Sequence, residues 1–261
     1  MQTYSSKHYD YLRQSGKILR ETFAVVEKSI RAGVTTLELD KIAEDYIRSQ
    51  GAEPAFKNYQ GYKFTICASV NEESIHGMPR KNKVLCDGDI ISVDCGVRFP
   101  KKDNESMCTD AARTYAVGKI TPKAQKLVDA CKQCFDVAID GLRAGDMVKE
   151  IGKKIERFVA GRYGIIDTYF GHGIGHNVHE GTLVPNFDVD KMAKHSPRLV
   201  SAVEVEIPDG AIMCIEPMIN CGTKDIKLAR DGWTVVTADG QLAAHYENTI
   251  IVHHDRVEIV T

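Results

Sequence analysis

The 261-residue chain lacks several things. No stretch approaches the ~18 consecutive apolar residues of a membrane span, and the first residues, Met1 to Arg13, are polar and carry no signal-peptide core. A formal charge of −2 leaves no electrostatic footprint for nucleic acid or an anionic membrane. Eight cysteines follow no disulfide rhythm, which points to reduced thiols and a cytoplasmic setting. Cys131-Lys132-Gln133-Cys134 is the one Cys-x-x-Cys; it falls inside a helical pattern with no second pair, so it reads as packing. No Pro/Gly/Ser-rich linker divides the chain. One catalytic domain over 1–261 is therefore expected, with any site at its internal seam.

What is there is written twice. Asp87-Gly88-Asp89 leads into Ile90 to Asp94, and Asp209-Gly210 leads into Ala211 to Glu216. Each is a turn, an apolar strand and a carboxylate that the strand carries into the core. Upstream, a helix, Arg31-Ala32-Gly33 and a second helix recur as a helix, Arg143-Ala144-Gly145 and a helix. The first pair of helices shows apolar stripes at Leu12, Ile18, Leu19, Phe23, Val26 and Ile30, then Leu39, Ile42, Ala43, Tyr46 and Ile47. Thr35 to Glu38 has the form of a capping box. The second pair is expected over Ala124 to Leu142 and Met147 to Gly161, and further strands over Phe64 to Val70, Asp89 to Val97 and Ala112 to Val117. The expected architecture is α/β with a pseudo-twofold duplication, halves about 1–118 and 119–261. Pro100 to Met107 and Phe187 to Glu206 lack periodicity and read as surface loops.

Five residues stand out as ligands. Asp94 and Glu216 end the duplicated strands; Asp110 and Glu247 open the strands that follow; His172 lies in Gly171-His172-Gly173-Ile174-Gly175. Four carboxylates gathered in a dry core repel one another unless cations neutralise them. An oxygen-rich set with one imidazole suits Mn²⁺, Fe²⁺, Co²⁺ or Zn²⁺ and not a thiolate zinc site. Small residues also flank His76 and His179, which marks them as site candidates, and His245 neighbours Glu247. His176 stays open.

Together these motifs resemble the type I methionine aminopeptidases of the pita-bread fold, in their short bacterial form. The resemblance runs through Ser69-Val70-Asn71-Glu72, His76-Gly77, Gly88-Asp89-Ile90, Asp94, Thr109-Asp110, Gly171 to Gly175, His179-Glu180, Ile215-Glu216-Pro217-Met218, Asp231 to Thr234 and Tyr246 to Ile250. It implies a curved, mostly antiparallel central sheet covered by helices, and removal of N-terminal methionine from nascent proteins when the second residue is small. It implies two divalent metal ions: Asp94 on one, Asp110 and Glu247 bridging, His172 and Glu216 on the other. A metal-bridging hydroxide would attack the carbonyl. Glu216 would act as general base, His179 would stabilise the oxyanion, and His76 would contact the amide nitrogen. For the methionine slot, position nominates Tyr59, Tyr62, Cys67, Met218 and Trp233. The expected partners are N-terminal Met peptides, with room for a ribosome contact, and the default state is a monomer. The alternatives are an Xaa-Pro aminopeptidase of the same fold and a binding protein that has lost catalysis.

The chain departs from the family pattern in three places. The gap from Asp94 to Asp110 is long, so strict spacing would land on Glu105; Asp110 is preferred because an apolar strand follows it directly. Thr182 stands where proline is usual. The segment between His179 and Glu216 is extended.

Overall fold

The computed structural model describes residues 4–101 and 104–261; Lys102 and Asp103, within the first expected loop, lie outside the described residues. The first half runs α1 (Ser6–Glu27), α2 (Thr36–Ser49), β1 (Glu53–Pro54), β2 (Ile66–Val70), β3 (Glu73–Ile75), β4 (Ile90–Phe99) and β5 (Met107–Ala116). The second runs α3 (Pro122–Ile139), α4 (Lys149–Val159), β6 (Gly164–Ile165), β7 (Gly171–Gly173), β8 (Glu180–Val184), α5 (Pro197–Val203), β9 (Ala211–Ile215), β10 (Met218–Asn220), β11 (Ile226–Leu228), β12 (Val235–Thr237), β13 (Ala243–His245), β14 (Glu247–Val252) and β15 (Val257–Ile259). Among the described residues no helix is long and apolar enough to cross a membrane.

The helices form where the apolar stripes predict. Leu12, Ile18, Leu19, Phe23 and Val26 of α1 are buried, and α1 packs on α2, β4 and β5. Thr35 caps α2 as expected: the Glu38 N–H donates to its hydroxyl, and the Thr35 N–H donates to the Glu38 carboxylate. On α3 the wholly buried Leu127 and Phe135 face the second half of the sheet. Truncating a buried phenylalanine of this kind costs about 3–5 kcal/mol. Cys131 and Cys134 sit on that same inner stripe, and burial raises both thiols, so they pack as apolar groups.

The sheet reads alike from either end. Its centre is the antiparallel pair β5–β14; β4 lies outside β5 as β9 lies outside β14; β2 then flanks β4 as β7 flanks β9. All of these pairings are antiparallel, which gives the curved antiparallel sheet under helices of a pita-bread fold.

Three expectations change. Asp94 lies in the middle of β4, not at its end, because pairing with both β2 and β5 keeps that strand extended to Phe99. Likewise β5 starts at Met107, so Asp110 is a strand-interior residue. The stretch 187–206 is not a free surface loop. It holds a short 3₁₀ turn and α5, and it is anchored by Phe187, Val189 and Val203, which are buried in the same core as Phe135. Their spacing is too irregular to show helical or strand periodicity.

Candidate metal and substrate site

The seam between β5 and β14 gathers the acids. Asp94 faces Ala112 across β4–β5, and Glu247 faces the same Ala112 across β5–β14. Asp110 stands two residues before Ala112, on the same face of β5. Glu216 directly follows β9. The relative exposures of Asp94, Asp110 and Glu247 are 9%, 3% and 2%, and the Glu216 side chain is 12% exposed. Ligand atoms of Asp94, Asp110 and Glu247 all lie within 4.8 Å of one another. Glu105, the other candidate for the bridging position, is outside this group and pairs with Lys7 at the surface.

His172 enters from β7. Its Nδ1 lies 3.1 Å from the Gly173 carbonyl, which fixes the proton on Nδ1 and leaves the Nε2 lone pair free. Nε2 lies 3.7 Å from Glu216 Oε1 and 3.9 Å from both Asp110 Oδ2 and Glu247 Oε1. Only glycine fits on either side of this histidine. A Cβ at Gly171 would sit 2.3 Å from the Cys214 carbonyl oxygen, and one at Gly173 would sit 2.1 Å from that of Glu180.

The electrostatics of the empty protein are unfavourable for ionised acids. Burial first, then the neighbouring carboxylates, raises Asp110, Glu216 and Glu247 well above the usual range, and burial pushes Asp94 up to about 6. Burial drives His172 down to about 3, His76 to about 4 and His245 to about 4. Asp94 Oδ1, Asp110 Oδ1, Glu247 Oε1 and His245 Nε2 are buried with no hydrogen-bond partner among the described residues. Orphaned acceptors at this density cost about 1–3 kcal/mol each unless something fills the space between them. Their donor set, carboxylate oxygen with imidazole nitrogen, fits divalent cations of the first transition row.

Above the acids opens a cavity of about 290 Å³. Its walls are Tyr59, Tyr62, Cys67 and Trp233, with Phe56, Ile75, Tyr169 and Phe170. The first four were nominated from sequence. The last four were missed, because they come from irregular connections or a short strand with no polar partner to flag them. Met218, also nominated, does not line the cavity. It is wholly buried on β10 opposite His245 and packs with Ile166, Val235 and the wall residue Ile75, one layer behind the lining. The Tyr62 hydroxyl donates to the Ile66 carbonyl at 2.9 Å, and its ring meets Trp233 edge-on at 5.0 Å, so this wall is apolar.

His76 and His179 both line the same cavity. His76 sits at φ +56° on the turn after β3, with its ring edge-on to Tyr169 at 5.6 Å. His179 Nδ1 lies 2.9 Å from the Tyr59 hydroxyl, and its ring lies 4.2 Å from that of His172. His176 faces away from the acids: its Nδ1 meets the Ser106 carbonyl and its ring packs against Tyr4 and His8.

The chain resembles known proteins along nearly its whole length. Residues 10–254 match the profile of metallopeptidase family M24. The chain is 42% identical over 253 residues to a methionine aminopeptidase of Clostridium acetobutylicum, covering 97% of this chain and 95% of that one. It superimposes on the crystal structure of a methionine aminopeptidase from Thermotoga maritima with TM-score 0.91 and 31% identity, covering 100% and 99% of the two chains. An X-Pro aminopeptidase from the same organism shares the fold at TM-score 0.74 and 20% identity, but this chain covers only 61% of it. By profile, by sequence identity over nearly its whole length and by structure, the chain belongs to the methionine aminopeptidases of metallopeptidase family M24.

Proposed function

We propose that the protein is a single catalytic unit that hydrolyses the bond after an N-terminal methionine, with a small residue following. It would use two divalent ions drawn from Mn²⁺, Fe²⁺, Co²⁺ and Zn²⁺. Asp94, Asp110, His172, Glu216 and Glu247 would hold them. When bound, the ions supply the positive charge that lets the four acids ionise together and that sharpens an attacking water. The observation that carries the reading is the cluster of partnerless buried acids and one neutral imidazole beneath an aromatic-walled cavity.

The remaining steps belong to the chain's own side chains. The aromatic walls and Cys67 receive the methionine side chain, whose thioether gains from contact with ring edges. His179 Nδ1 and the Tyr59 hydroxyl are 2.9 Å apart; a hydroxyl that donates there would leave the imidazole proton on Nε2, to be donated to a developing oxyanion. His76 is neutral at pH 7 and stands at the cavity wall, placed to hydrogen-bond the amide nitrogen. Glu216 lines the cavity with a side chain more exposed than those of Asp110 and Glu247, and it would take the proton from water and return it to the leaving amine.

An Xaa-Pro specificity is less favoured, because the protein of that kind matches in fold only and is much longer. The test is direct. Protein stripped of metal and reloaded with Co²⁺ or Mn²⁺ should release methionine from Met-Ala-Ser, and Glu216→Gln should lower kcat by about 10²–10⁴-fold. Cleavage of Xaa-Pro peptides alone, or of peptides with a blocked N-terminus, overturns the reading.

A further inference from the structure

One buried imidazole near the acids has no role so far. His245 is 2% exposed, and its Nε2 has no hydrogen-bond partner among the described residues. It ends β13, two residues before Glu247 opens β14, and its ring lies on the side of the acids, while Tyr246 between them turns outward to pack on Phe135 and the Arg113 guanidinium. The backbone is pinned: the His245 N–H donates to the Thr114 hydroxyl at 3.0 Å, and that hydroxyl donates to the His245 carbonyl at 2.9 Å. The backbone that carries the ring is therefore fixed by pairing with β5 and β10.

The distances are those of a ligand. His245 Nε2 lies 3.5 Å from Glu216 Oε2 and 4.0 Å from Glu247 Oε2. His172 Nε2 lies 3.7 Å from Glu216 Oε1 and 3.9 Å from Glu247 Oε1. Each carboxylate thus turns one oxygen to one imidazole and the other oxygen to the other. Ligand atoms each about 2.1 Å from a shared ion stand roughly 3–4 Å apart, whereas a hydrogen bond to a carboxylate would close to about 2.7–3.2 Å. Ligand atoms of Glu216, His245 and Glu247 also lie within 4.8 Å of one another.

We propose that His245 supplies a second imidazole nitrogen to the cation centre, on the side of Glu216 and Glu247 opposite His172. The proposal rests on the metal-dependent reading above and adds to it. A centre with two imidazoles is richer in nitrogen than five ligands with one would be, which favours Fe²⁺, Co²⁺ or Zn²⁺ over Mn²⁺.

The test reads the metal, not turnover alone. Metal-free protein is titrated with Co²⁺ by calorimetry, and the fully loaded protein is measured by cobalt X-ray absorption. Two cobalt ions should show about one imidazole each on average. His245→Gln should halve that number and weaken one binding event at least tenfold, while His245→Asn gives a second, smaller replacement should the first not fold. An average of half an imidazole per cobalt in the wild type, or unchanged affinity and nitrogen number in a folded variant, overturns the proposal and leaves the metal reading standing. Wild-type protein that takes up no cobalt and releases no methionine overturns both.

Discussion

Two groups of buried acids sit in one sheet-and-helix core and differ in how they are kept. Asp40 on α2 is 5% exposed, and its Oδ1 accepts the N–H groups of Thr65 at 2.7 Å and Ile66 at 3.0 Å, at the start of β2. Glu73 on β3 is equally buried and accepts from the Val70 N–H, Arg80 and Lys83. Asp94, Asp110 and Glu247 are buried too, yet each leaves an oxygen with no partner among the described residues. Burial alone therefore does not mark a functional acid. A satisfied acid ties elements together, and an orphaned one waits for a ligand.

The largest effect should come from Asp110→Asn. It removes the acid at the middle of the cluster, and with it several kcal/mol of charge stabilisation, about 10³-fold in kcat/KM with Mn²⁺ or Co²⁺. The same change should leave the melting temperature of the metal-free protein level or higher, because burial and three neighbouring carboxylates already raise Asp110 and one source of repulsion disappears. Thermal melts with and without Mn²⁺ check this. A metal-free variant that melts far below wild type would show Asp110 to be a structural acid and break the contrast.

Asp40→Ala is the reciprocal case. Burial raises Asp40, and the N–H groups of Ile66 and Thr65 pull it back. Deleting the carboxylate leaves both donors unpaired at about 1–3 kcal/mol each. For a chain of this size that is a drop of roughly 5–10 °C in Tm. Turnover per folded molecule, from active-site titration with Co²⁺, should stay within about twofold, since substitutions away from the site act on stability first.

The difference between these acids was only partly legible in the sequence. Asp94, Glu216 and Glu247 announced themselves because an acid beside an Ile/Val run has no ordinary reason to be there. Asp40 sits in a helix between Leu39 and Lys41, and nothing in its flanks reports that it receives two N–H groups from a segment 25 residues on. The cavity walls divide the same way. Tyr59, Tyr62, Cys67 and Trp233 lie near motif residues, whereas Tyr169 and Phe170 lie just before β7 and are brought in by pairing of Gly173 with Met213 on β9, which is long-range. Met218, placed by its adjacency to Glu216, sits behind the wall residue Ile75 and not on the lining, because Pro217 separates β9 from β10 and adjacency in sequence does not set depth.

The smallest expected effect is the most pointed. Counting residues from Asp94, the family spacing would select Glu105, while the apolar strand selects Asp110. The structure places Glu105 outside β5 and half exposed, in an ion pair with Lys7, and places Asp110 inside β5. A surface pair of this kind contributes little because solvent already screens both charges. Glu105→Gln should leave methionine release within about twofold of wild type and the melt unshifted. Loss of activity here, with Asp110→Asn tolerated, would mean that spacing outranks strand context in choosing the bridging acid, and the long connection between β4 and β5 would then have to fold into the seam instead of over its edge.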